Sequence, residues 1–399
     1  MNPLLNTLHP YPFEKLATLK QGIEANPSLK HIALSIGEPK HTPPPFVIDS
    51  LINNIARIDK YPSTKGLIEL RQSMATWLTQ RFKLNALLDS ERHILPVNGT
   101  REALFAFAQI AIEPQAHHKP LVIMPNPFYQ IYEGAALLAN AEPYYLNSLE
   151  ENAYQPEFSS ISEQDWQRCQ LIYVCSPNNP TGTTLSRETY KILIELADRH
   201  DFIIASDECY SEIYPDENQA PVGLLQVCAE LGRDDFKNCV VFHSLSKRSN
   251  LPGLRSGFIA GDEKLMSAFL KYRTYHGCAM SIPTQLASIA AWQDEEHVMQ
   301  NRVLYREKFK HVANILKGTW DLTIPEAGFN FWAKTPIDDE VFTQRLFEQQ
   351  HITVLPGRYL SREVNGVNPG TDHIRMAMVA PVDECISAAT RLRDFIKGI

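Results

Sequence analysis

The sequence predicts an α/β fold, with a large domain built on a mostly parallel central sheet flanked by helices, plus a smaller α+β domain. Two patterns carry this prediction. Between residues 121 and 243, short apolar stretches alternate with helical stretches, which is typical of strands joined by crossover helices. From about residue 290, long amphipathic helices dominate, with only short strands between them. We therefore expect an N-terminal arm that also contributes to the small domain over 1–45, the large domain over 46–290 and the small C-terminal domain over 291–399.

The individual elements follow from local patterns along the chain. Prolines at positions 3, 10, 12 and 27 predict an arm with little regular structure, followed by a short strand at 32–36. Apolar side chains spaced by three and four residues predict helices at 46–57, 68–82, 104–112, 188–199, 297–317 and 382–396. Short apolar runs predict strands at 121–124, 171–174, 202–206, 239–243, 329–333 and 374–379.

The composition narrows the class of protein. The 399 residues are 44% hydrophobic and 21% charged, which describes an ordinary globular protein with a sizeable core. The formal charge of -8 argues against a nucleic-acid partner. The longest apolar runs, such as 171–175, fall far short of the ~20 residues that span a bilayer, and the N-terminus lacks the pattern of a signal peptide. These features predict a cytoplasmic protein with no membrane partner.

The cysteines and histidines offer no metal site. The seven cysteines contain no C-x-x-C pair, so neither a disulfide framework nor a zinc site is predicted. His117 and His118 are adjacent, but no third ligand follows at a suitable spacing. We predict no bound metal.

Chemically distinctive side chains follow each of the four central strands. Tyr129 follows the first strand and Asn179 the second, while Asp207 and Tyr210 follow the third. The fourth strand is followed by the run SLSKRSNLPGLRSGF, which contains Lys247. Because ligands collect beyond the carboxyl ends of parallel strands, we expect these groups to meet in one crevice.

One common cofactor matches this set of groups. A lysine amine can form a Schiff base with an aldehyde, and a carboxylate can hold a pyridine nitrogen in its protonated form. An amide and a phenol can donate to a ring oxygen, an aromatic face can stack on the ring, and hydroxyls with an arginine can bind a phosphate. Pyridoxal 5'-phosphate has all of these features.

Seven motifs carry a resemblance to a known family. The chain is similar to the fold-type-I, pyridoxal-phosphate-dependent aminotransferases of the aspartate aminotransferase class. The motifs occur in the family order and, with Gly37, span residues 37–375: YPSTKGLIELR, NGTREALF, PNPFYQIY, SPNNPTG, DECY, SLSKRSNLPGLRSGF and HIRMAMV. The resemblance implies an enzyme that acts on small amino acids and 2-oxo acids.

The resemblance also implies roles for single residues around the cofactor ring. Lys247 resembles the Schiff-base lysine and Asp207 the partner of the pyridine nitrogen. Tyr210 and Asn179 resemble the donors to the ring hydroxyl oxygen, and Tyr129 the aromatic residue that stacks on the ring. Lys247, Asp207 and Tyr210 are therefore the expected catalytic residues.

The phosphate and substrate contacts are implied in the same way. Phosphate ligands are expected from Ser244, Ser246, Arg255 and the turn Gly99, Thr100 and Arg101, which opens a helix. Tyr61 resembles the tyrosine that reaches the phosphate of the neighbouring subunit, which implies a homodimer with shared active sites. Arg375, together with Asn179, resembles the clamp on the substrate α-carboxylate. Gly37 would let the backbone approach that carboxylate closely.

Three longer runs point to a substrate. GEPKHTPP, RTYHGCAMSIPTQLASIAAW and PGRYLSREVNGVNPGTDHIRMAMVAP resemble the proteobacterial succinyldiaminopimelate aminotransferases of lysine and diaminopimelate biosynthesis. That resemblance implies amino transfer between N-succinyl-L,L-2,6-diaminopimelate and 2-oxoglutarate. The basic residues available for the distal carboxylates are Lys40, Lys65, Arg101 and Arg358, and the sequence does not choose among them. Asn330 places an amide where the pocket wall would be expected to carry an apolar side chain.

Two other classes of function stay open at this point. One is a different enzyme on the same fold: an aspartate, aromatic or kynurenine aminotransferase, or a carbon-sulfur lyase that uses the same cofactor. The other is a transcription regulator with a degenerate aminotransferase-like domain. Such a regulator needs an N-terminal DNA-binding domain, whereas the catalytic pattern here begins by residue 37 of an acidic chain.

Overall fold

A computed structural model describes all residues, 1–399. The chain forms fourteen α-helices: α1 Pro12–Leu19, α2 Pro45–Asn53, α3 Ile68–Phe82, α4 Thr100–Ala111, α5 Ile131–Leu138, α6 Glu163–Arg168, α7 Arg187–His200, α8 Leu224–Glu230, α9 Leu245–Arg248, α10 Glu263–His276, α11 Ile282–Trp292, α12 Glu296–Leu316, α13 Asp339–Gln350 and α14 Val382–Ile396.

Twelve strands accompany the helices: β1 Ile32–Ala33, β2 Ile94–Val97, β3 Leu121–Asn126, β4 Glu142–Asn147, β5 Cys169–Cys175, β6 Ile203–Asp207, β7 Cys239–Ser244, β8 Gly257–Gly261, β9 Asn330–Lys334, β10 Ile352–Thr353, β11 Leu355–Pro356 and β12 His373–Ala377. Six short 3₁₀ segments complete the structure, including Ile55–Asp59 after α2 and Gly357–Leu360 after β11.

Seven strands form the central sheet, in the order β2-β8-β7-β6-β5-β3-β4. All neighbouring pairs from β4 to β7 are parallel, and β8 is antiparallel to both β7 and β2. Six strands therefore share one direction, which confirms the predicted α/β fold with a mostly parallel sheet. The strands β3, β5, β6 and β7 are neighbours, so the four strand ends that the sequence singled out lie along one edge of the sheet.

The central strands are apolar because both of their faces are covered. Residues of β7 are buried throughout, as are those of β8. One apolar cluster, which includes Trp77 and Phe258, lies on one side of the sheet, and a second, which includes Phe107 and Phe242, lies on the other. Burial on both faces is the reason why the strands read as continuous apolar runs rather than as alternating ones.

The sequence-based prediction missed three strands of this sheet. Two of them, β2 and β4, contain a proline, which weakens a strand prediction because proline cannot donate to the ladder. The third, β8, begins and ends with glycine, which local patterns associate with turns. All three lie at or next to an edge of the sheet, where the long-range pairing partner and not the local pattern decides that a strand forms.

The N-terminal arm is more regular than predicted. Pro12 occupies the first turn of α1 instead of breaking it, because proline lacks only an N–H that would be unpaired there. The strand β1 is shorter than expected and pairs in parallel with β10. Its Ile32 is buried in an apolar cluster with C-terminal residues such as Leu392.

The remaining strands form a separate antiparallel sheet in the order β11-β12-β9. Arg375 of β12 lies opposite Trp332 of β9 and Leu355 of β11. The division of the chain at residues 45 and 290 into an arm and two domains stays a prediction. No helix combines the length and the apolar character that crossing a membrane requires.

Candidate active site

A cavity of about 490 Å³ lies at the carboxyl ends of the central parallel strands. Its volume is typical of sites that bind small molecules. The predicted site residues that line it are Gly37, Thr100, Arg101, Tyr129, Asn179, Asp207, Tyr210, Ser244, Ser246, Lys247, Arg255 and Arg375. Of the predicted set, only Gly99, which contacts one of these residues, and Tyr61 are not part of the lining.

Lys247 lies in the short helix α9, directly after the central strand β7. Its Nζ donates a hydrogen bond to the backbone carbonyl of Gly37, from the N-terminal segment. The amine also lies 5.1 Å from the ring of Phe329 and 5.9 Å from that of Tyr210. Burial lowers the pKa of Lys247 to about 8. At pH 7 roughly a tenth of the amine is therefore neutral, far more than for a lysine with an ordinary pKa.

Asp207 is the last residue of β6 and its carboxylate is buried. The Tyr132 phenol donates to Oδ2 at 2.7 Å, and the backbone N–H of Cys209 donates to Oδ1 at 3.2 Å. Burial raises the pKa of the Asp207 carboxyl, while these two bonds act in the opposite direction. A cationic group in the cavity would meet a fixed carboxylate here.

Tyr132 is a site residue that the sequence-based analysis missed. It lies in the first turn of α5, three residues after Tyr129 in the motif PNPFYQIY. Tyr129 lies just before this helix, and its ring centroid is 5.7 Å from that of Tyr132. Their presence in one short motif is the signal that could have linked the two tyrosines. Its ring stacks on the buried ring of Tyr173 at 4.7 Å, which fixes the orientation of the phenol.

One part of the cavity is suited to an anion. Gly99 caps the N-terminus of α4 with a φ of 81°, a conformation that favours glycine. A Cβ at Gly99 would lie 2.1 Å from Nη2 of Arg255, so only glycine leaves room for this guanidinium. The hydroxyl of Ser244 accepts the backbone N–H of Ser246 at 3.1 Å, which places both serines at the end of β7. A helix N-terminus, an arginine and two serines together favour a phosphate.

Arg375 enters the cavity from β12 and is buried, with 6% of its surface exposed. Its Nη1 donates to Oδ1 of Asn179 at 3.0 Å, and its Nη2 donates to the carbonyl of Ser35 at 2.6 Å. Nε has no protein partner although it is buried. A buried guanidinium with unused donor capacity is suited to a carboxylate.

Asn330 does not line the cavity; it lies behind Asn179. Its Nδ2 is 3.4 Å from Oδ1 of Asn179, the same oxygen that accepts from Arg375. The amide of Asn330 therefore orients Asn179 rather than forming part of the pocket wall, where the sequence analysis had placed it.

The mouth of the cavity carries a cluster from three elements. Arg101 in α4 donates from Nε to the phenol of Tyr129 and from Nη2 to the phenol of Tyr11, both at 2.8 Å. Tyr11, Pro12 and Phe13 of the N-terminal arm all line the cavity. The sequence analysis assigned no site residue to this arm before Gly37, because contacts between distant segments leave no local signal.

Tyr61 lies outside the cavity and is fully exposed. It follows the 3₁₀ segment after α2, and three isoleucines in the preceding ten residues are also exposed, namely Ile52, Ile55 and Ile58. A role of Tyr61 in a neighbouring subunit stays a prediction.

The residues of the cavity fit pyridoxal 5'-phosphate. They supply a lysine amine with a lowered pKa, a buried carboxylate, an anion-binding end that Gly99 keeps open, and a buried arginine with a spare donor.

Comparison with known proteins identifies aminotransferases as relatives of this chain. The family described as aminotransferase class I and II matches residues 30–392. The LL-diaminopimelate aminotransferase of Maridesulfovibrio salexigens is 30% identical over 97% of this chain and 97% of that protein. The LL-diaminopimelate aminotransferase of Nitratidesulfovibrio vulgaris strain Hildenborough is 32% identical over 97% of this chain and 98% of that protein.

Solved structures share the fold over the whole chain. An aminotransferase from Neisseria meningitidis is 49% identical, with a TM-score of 0.95 over 99% of this chain and 100% of that one. An aminotransferase from Helicobacter pylori is 36% identical, with a TM-score of 0.89 over 98% of this chain and 100% of that one.

Proposed function

Since this chain belongs to the class I and II aminotransferases, which depend on pyridoxal 5'-phosphate, we propose that it transfers an amino group between N-succinyl-L,L-2,6-diaminopimelate and 2-oxoglutarate. The observation that carries the amino transfer is the meeting of Lys247, Asp207 and Arg375 in one cavity. The choice of substrate rests on the three long sequence runs that resemble the succinyldiaminopimelate enzymes.

Each part of the cofactor has residues that would hold it. The Lys247 amine would attach its aldehyde carbon, Asp207 would pair with its ring nitrogen, and Tyr129 would stack on its ring. The anion-binding end at Gly99 and Arg255 would receive its phosphate. When bound, this cofactor withdraws electrons from the substrate α-carbon and so makes the α-proton acidic.

Lys247 is the residue that we propose moves the proton. Once the substrate amine replaces it, the Lys247 amine would be free to take the proton from the α-carbon and to deliver it to the carbon of the cofactor's former aldehyde group. This work needs the neutral amine, and a pKa of about 8 keeps part of the amine neutral near pH 7. An unperturbed lysine, at ~10.4, would be almost fully protonated there.

Arg375 orients the substrate for this transfer. Its bonds to Asn179 and to the carbonyl of Ser35 fix the plane of the guanidinium, so that it can bind the α-carboxylate through two parallel bonds. A carboxylate held in this way fixes the direction of the bond to the α-proton relative to Lys247.

We also propose a homodimer in which Tyr61 reaches the phosphate of the neighbouring site. Its full exposure and the exposed isoleucines beside it support this arrangement, because exposed apolar patches mark interaction surfaces. Light scattering should give the mass of a dimer. Mixing a Tyr61→Ala subunit with a Lys247→Ala subunit should restore part of the activity if sites are shared.

A second candidate substrate is unsubstituted L,L-diaminopimelate. The relatives at 30% and 32% identity are both named for this compound, and it differs from the first only by lacking the succinyl group. The two candidates differ in the charge of the distal end. L,L-diaminopimelate carries an ammonium there, whereas the succinylated compound carries an uncharged amide and the succinyl carboxylate.

One assay of the purified protein distinguishes the candidate substrates. With 2-oxoglutarate as acceptor, kcat/KM is measured for the succinylated compound, L,L-diaminopimelate, aspartate and kynurenine. We expect the succinylated compound to exceed aspartate by at least tenfold, since a distal charge-assisted bond contributes about 1.5–3 kcal/mol. Higher efficiency with L,L-diaminopimelate would establish the second candidate, and higher efficiency with aspartate or kynurenine would refute both.

A further inference from the structure

The backbone around Lys247 is held by a side chain from a distant helix. Lys247 lies in α9, which has only four residues, so the carbonyl groups at its end have no partners within the helix. The side-chain amide of Asn301, in α12, supplies donors instead. Its Nδ2 donates to the carbonyls of Lys247 and Arg248, both at 3.4 Å. Asn301 is buried, with 2% of its surface exposed.

The oxygen of the same amide contacts a second segment that reaches the active site. Nδ1 of His41 lies 2.7 Å from Oδ1 of Asn301. His41 follows four residues after Gly37, whose carbonyl accepts a hydrogen bond from the Lys247 amine. Lys247 is therefore connected to the segment 37–41 twice, directly through its amine and indirectly through its backbone and Asn301.

The orientation of the Asn301 amide follows from its partners. Backbone carbonyls only accept hydrogen bonds, so the amide nitrogen must face the two carbonyls of α9 and the oxygen must face His41. That oxygen also accepts from Nδ2 of Asn250 at 2.9 Å. His41 must then carry its proton on Nδ1. Burial lowers the pKa of His41 to about 4, which keeps the ring neutral near neutral pH.

Asn301 and His41 act at a distance from the substrate. Neither lines the active-site cavity. The His41 ring packs against that of Tyr305 at 4.7 Å, and the Tyr305 ring stacks on that of Phe329 at 5.7 Å. Phe329 in turn lies 5.1 Å from the Lys247 amine. Any effect of Asn301 or His41 on the reaction must therefore pass through the position of Lys247.

We propose that Asn301 is a positioning residue for proton transfer by Lys247, and that the His41 ring holds its amide in the required orientation. The inference rests on the proposed function, in which the Lys247 amine moves a proton of the substrate. Fixing the backbone of Lys247 relative to Gly37 limits the positions that this amine reaches. A small displacement of a reacting group slows a reaction strongly.

Asn301→Asp removes the donors without changing the size of the side chain. The carboxylate still accepts from its other partners, but it repels the carbonyls of α9. Exchange of the amino group between L-glutamate and isotopically labelled 2-oxoglutarate measures the effect. We expect kcat to fall by about tenfold or more and KM to change by less than about threefold. The kinetic isotope effect with glutamate deuterated at the α-carbon should increase, because proton transfer limits the rate more strongly.

His41→Phe tests the same contact from the other side. Phenylalanine keeps a ring against Tyr305 but cannot donate to Asn301. We expect the same changes with a smaller loss of kcat, about threefold. The control is Gln300→Glu, which makes the same change from amide to carboxylate at the neighbouring, exposed position of α12, where Gln300 contacts Glu296. It should change neither kcat nor the isotope effect.

The cofactor-free protein provides a readout without turnover. The rate at which it recombines with pyridoxal 5'-phosphate depends on the position of the Lys247 amine. We expect Asn301→Asp to slow recombination by about threefold or more, and Gln300→Glu to leave the rate unchanged.

An unchanged isotope effect or an unchanged recombination rate in Asn301→Asp would overturn the assignment, as would a loss that appears mainly in KM. If Asn301→Asp does not fold, an unchanged isotope effect in His41→Phe overturns it instead. Lys247→Ala separates this inference from the proposed function. If Lys247→Ala still exchanges the amino group, Lys247 does not move the proton and both fail. If it is inactive while the isotope effect of Asn301→Asp is unchanged, only the role of Asn301 fails.

Discussion

The phenol of Tyr132 donates a 2.7 Å hydrogen bond to Oδ2 of Asp207, and both groups are buried. Two elements meet in this bond, since Tyr132 belongs to α5 and Asp207 ends β6. The bond favours the charged form of the carboxylate, which burial alone would disfavour. Tyr132 thus positions the carboxylate that we propose pairs with the ring nitrogen of the cofactor.

Replacing Tyr132 with phenylalanine tests this relationship. We expect Tyr132→Phe to slow transamination by about tenfold, because losing a bond to a charged group costs roughly 1.5–3 kcal/mol and part of this loss reaches the transition state. The pKa of Asp207 should rise, and a pH titration of the bound cofactor's absorbance should shift with it. The matched control is Tyr173→Phe, which loses a buried bond to the Leu104 carbonyl from the ring stacked on Tyr132. A spectrum that shifts equally in both variants would argue against a specific role of Tyr132.

The lowered pKa of Lys247 predicts how the cofactor-free protein recombines with pyridoxal 5'-phosphate. Only the neutral amine attacks an aldehyde, so the recombination rate should rise with pH up to about 8 and level off above it. The sign follows from burial, which disfavours the protonated amine. Stopped-flow absorbance between pH 6 and 10 measures the rate. A rate that keeps rising towards pH 10 would mean that Lys247 has an ordinary pKa.

Replacing Gly99 should weaken the binding of the cofactor. In Gly99→Ala, the new methyl group would lie 2.1 Å from Nη2 of Arg255 and displace the guanidinium from the anion-binding end. We expect the dissociation constant of pyridoxal 5'-phosphate to rise by about tenfold or more, the loss of one charge-assisted bond. Gly232→Ala is the control, because Gly232 has a similar φ of 71° but no atom near its Cβ position. Equal effects of the two substitutions on cofactor affinity would exclude the clash as the cause.

Replacing Arg375 should lower kcat/KM for all amino-acid substrates. Arg375→Lys keeps the charge but cannot bind the α-carboxylate through two parallel bonds. We expect kcat/KM to fall by about tenfold to a hundredfold for the succinylated compound, glutamate and aspartate alike. Arg393→Lys, at an exposed arginine that pairs with Asp394, is the control. A loss confined to one substrate would place Arg375 at the distal end instead.

Replacing Asn330 should have a smaller effect on substrate binding by Arg375 and Asn179. Asn330→Ala removes the amide that lies 3.4 Å from Oδ1 of Asn179 and so loosens the partner of Arg375. We expect KM for glutamate to rise by a few-fold, with little change in kcat, because the amide orients the clamp and does not touch the reacting atoms. Steady-state kinetics separates the two parameters. A fall in kcat with unchanged KM would contradict this role.

The fold class and the residues expected around the cofactor could be predicted from the amino-acid sequence. Strands that are buried on both faces show as apolar runs, and the groups that follow them are fixed by the connectivity of a parallel sheet. Asp207 and Lys247 could be predicted for this reason, since Asp207 ends β6 and Lys247 lies in the short helix that follows β7. The strands β2, β4 and β8 could not be predicted, because their prolines and glycines are atypical of strands. These segments form strands because they pair with their neighbours in the sheet.

The side chains that surround these residues became known only from the three-dimensional structure. Tyr132 was found through its bond to Asp207, and Tyr11 through its bond to Arg101, a partner 90 residues away along the chain. Among four basic residues of similar chemistry, the fold brings Arg101 into the cavity and ties Arg358 to a carboxylate elsewhere. The physical reason is that a side chain's partners depend on the packing of distant segments, whereas the pattern along the chain records only which residues share a helix face, a strand or a turn.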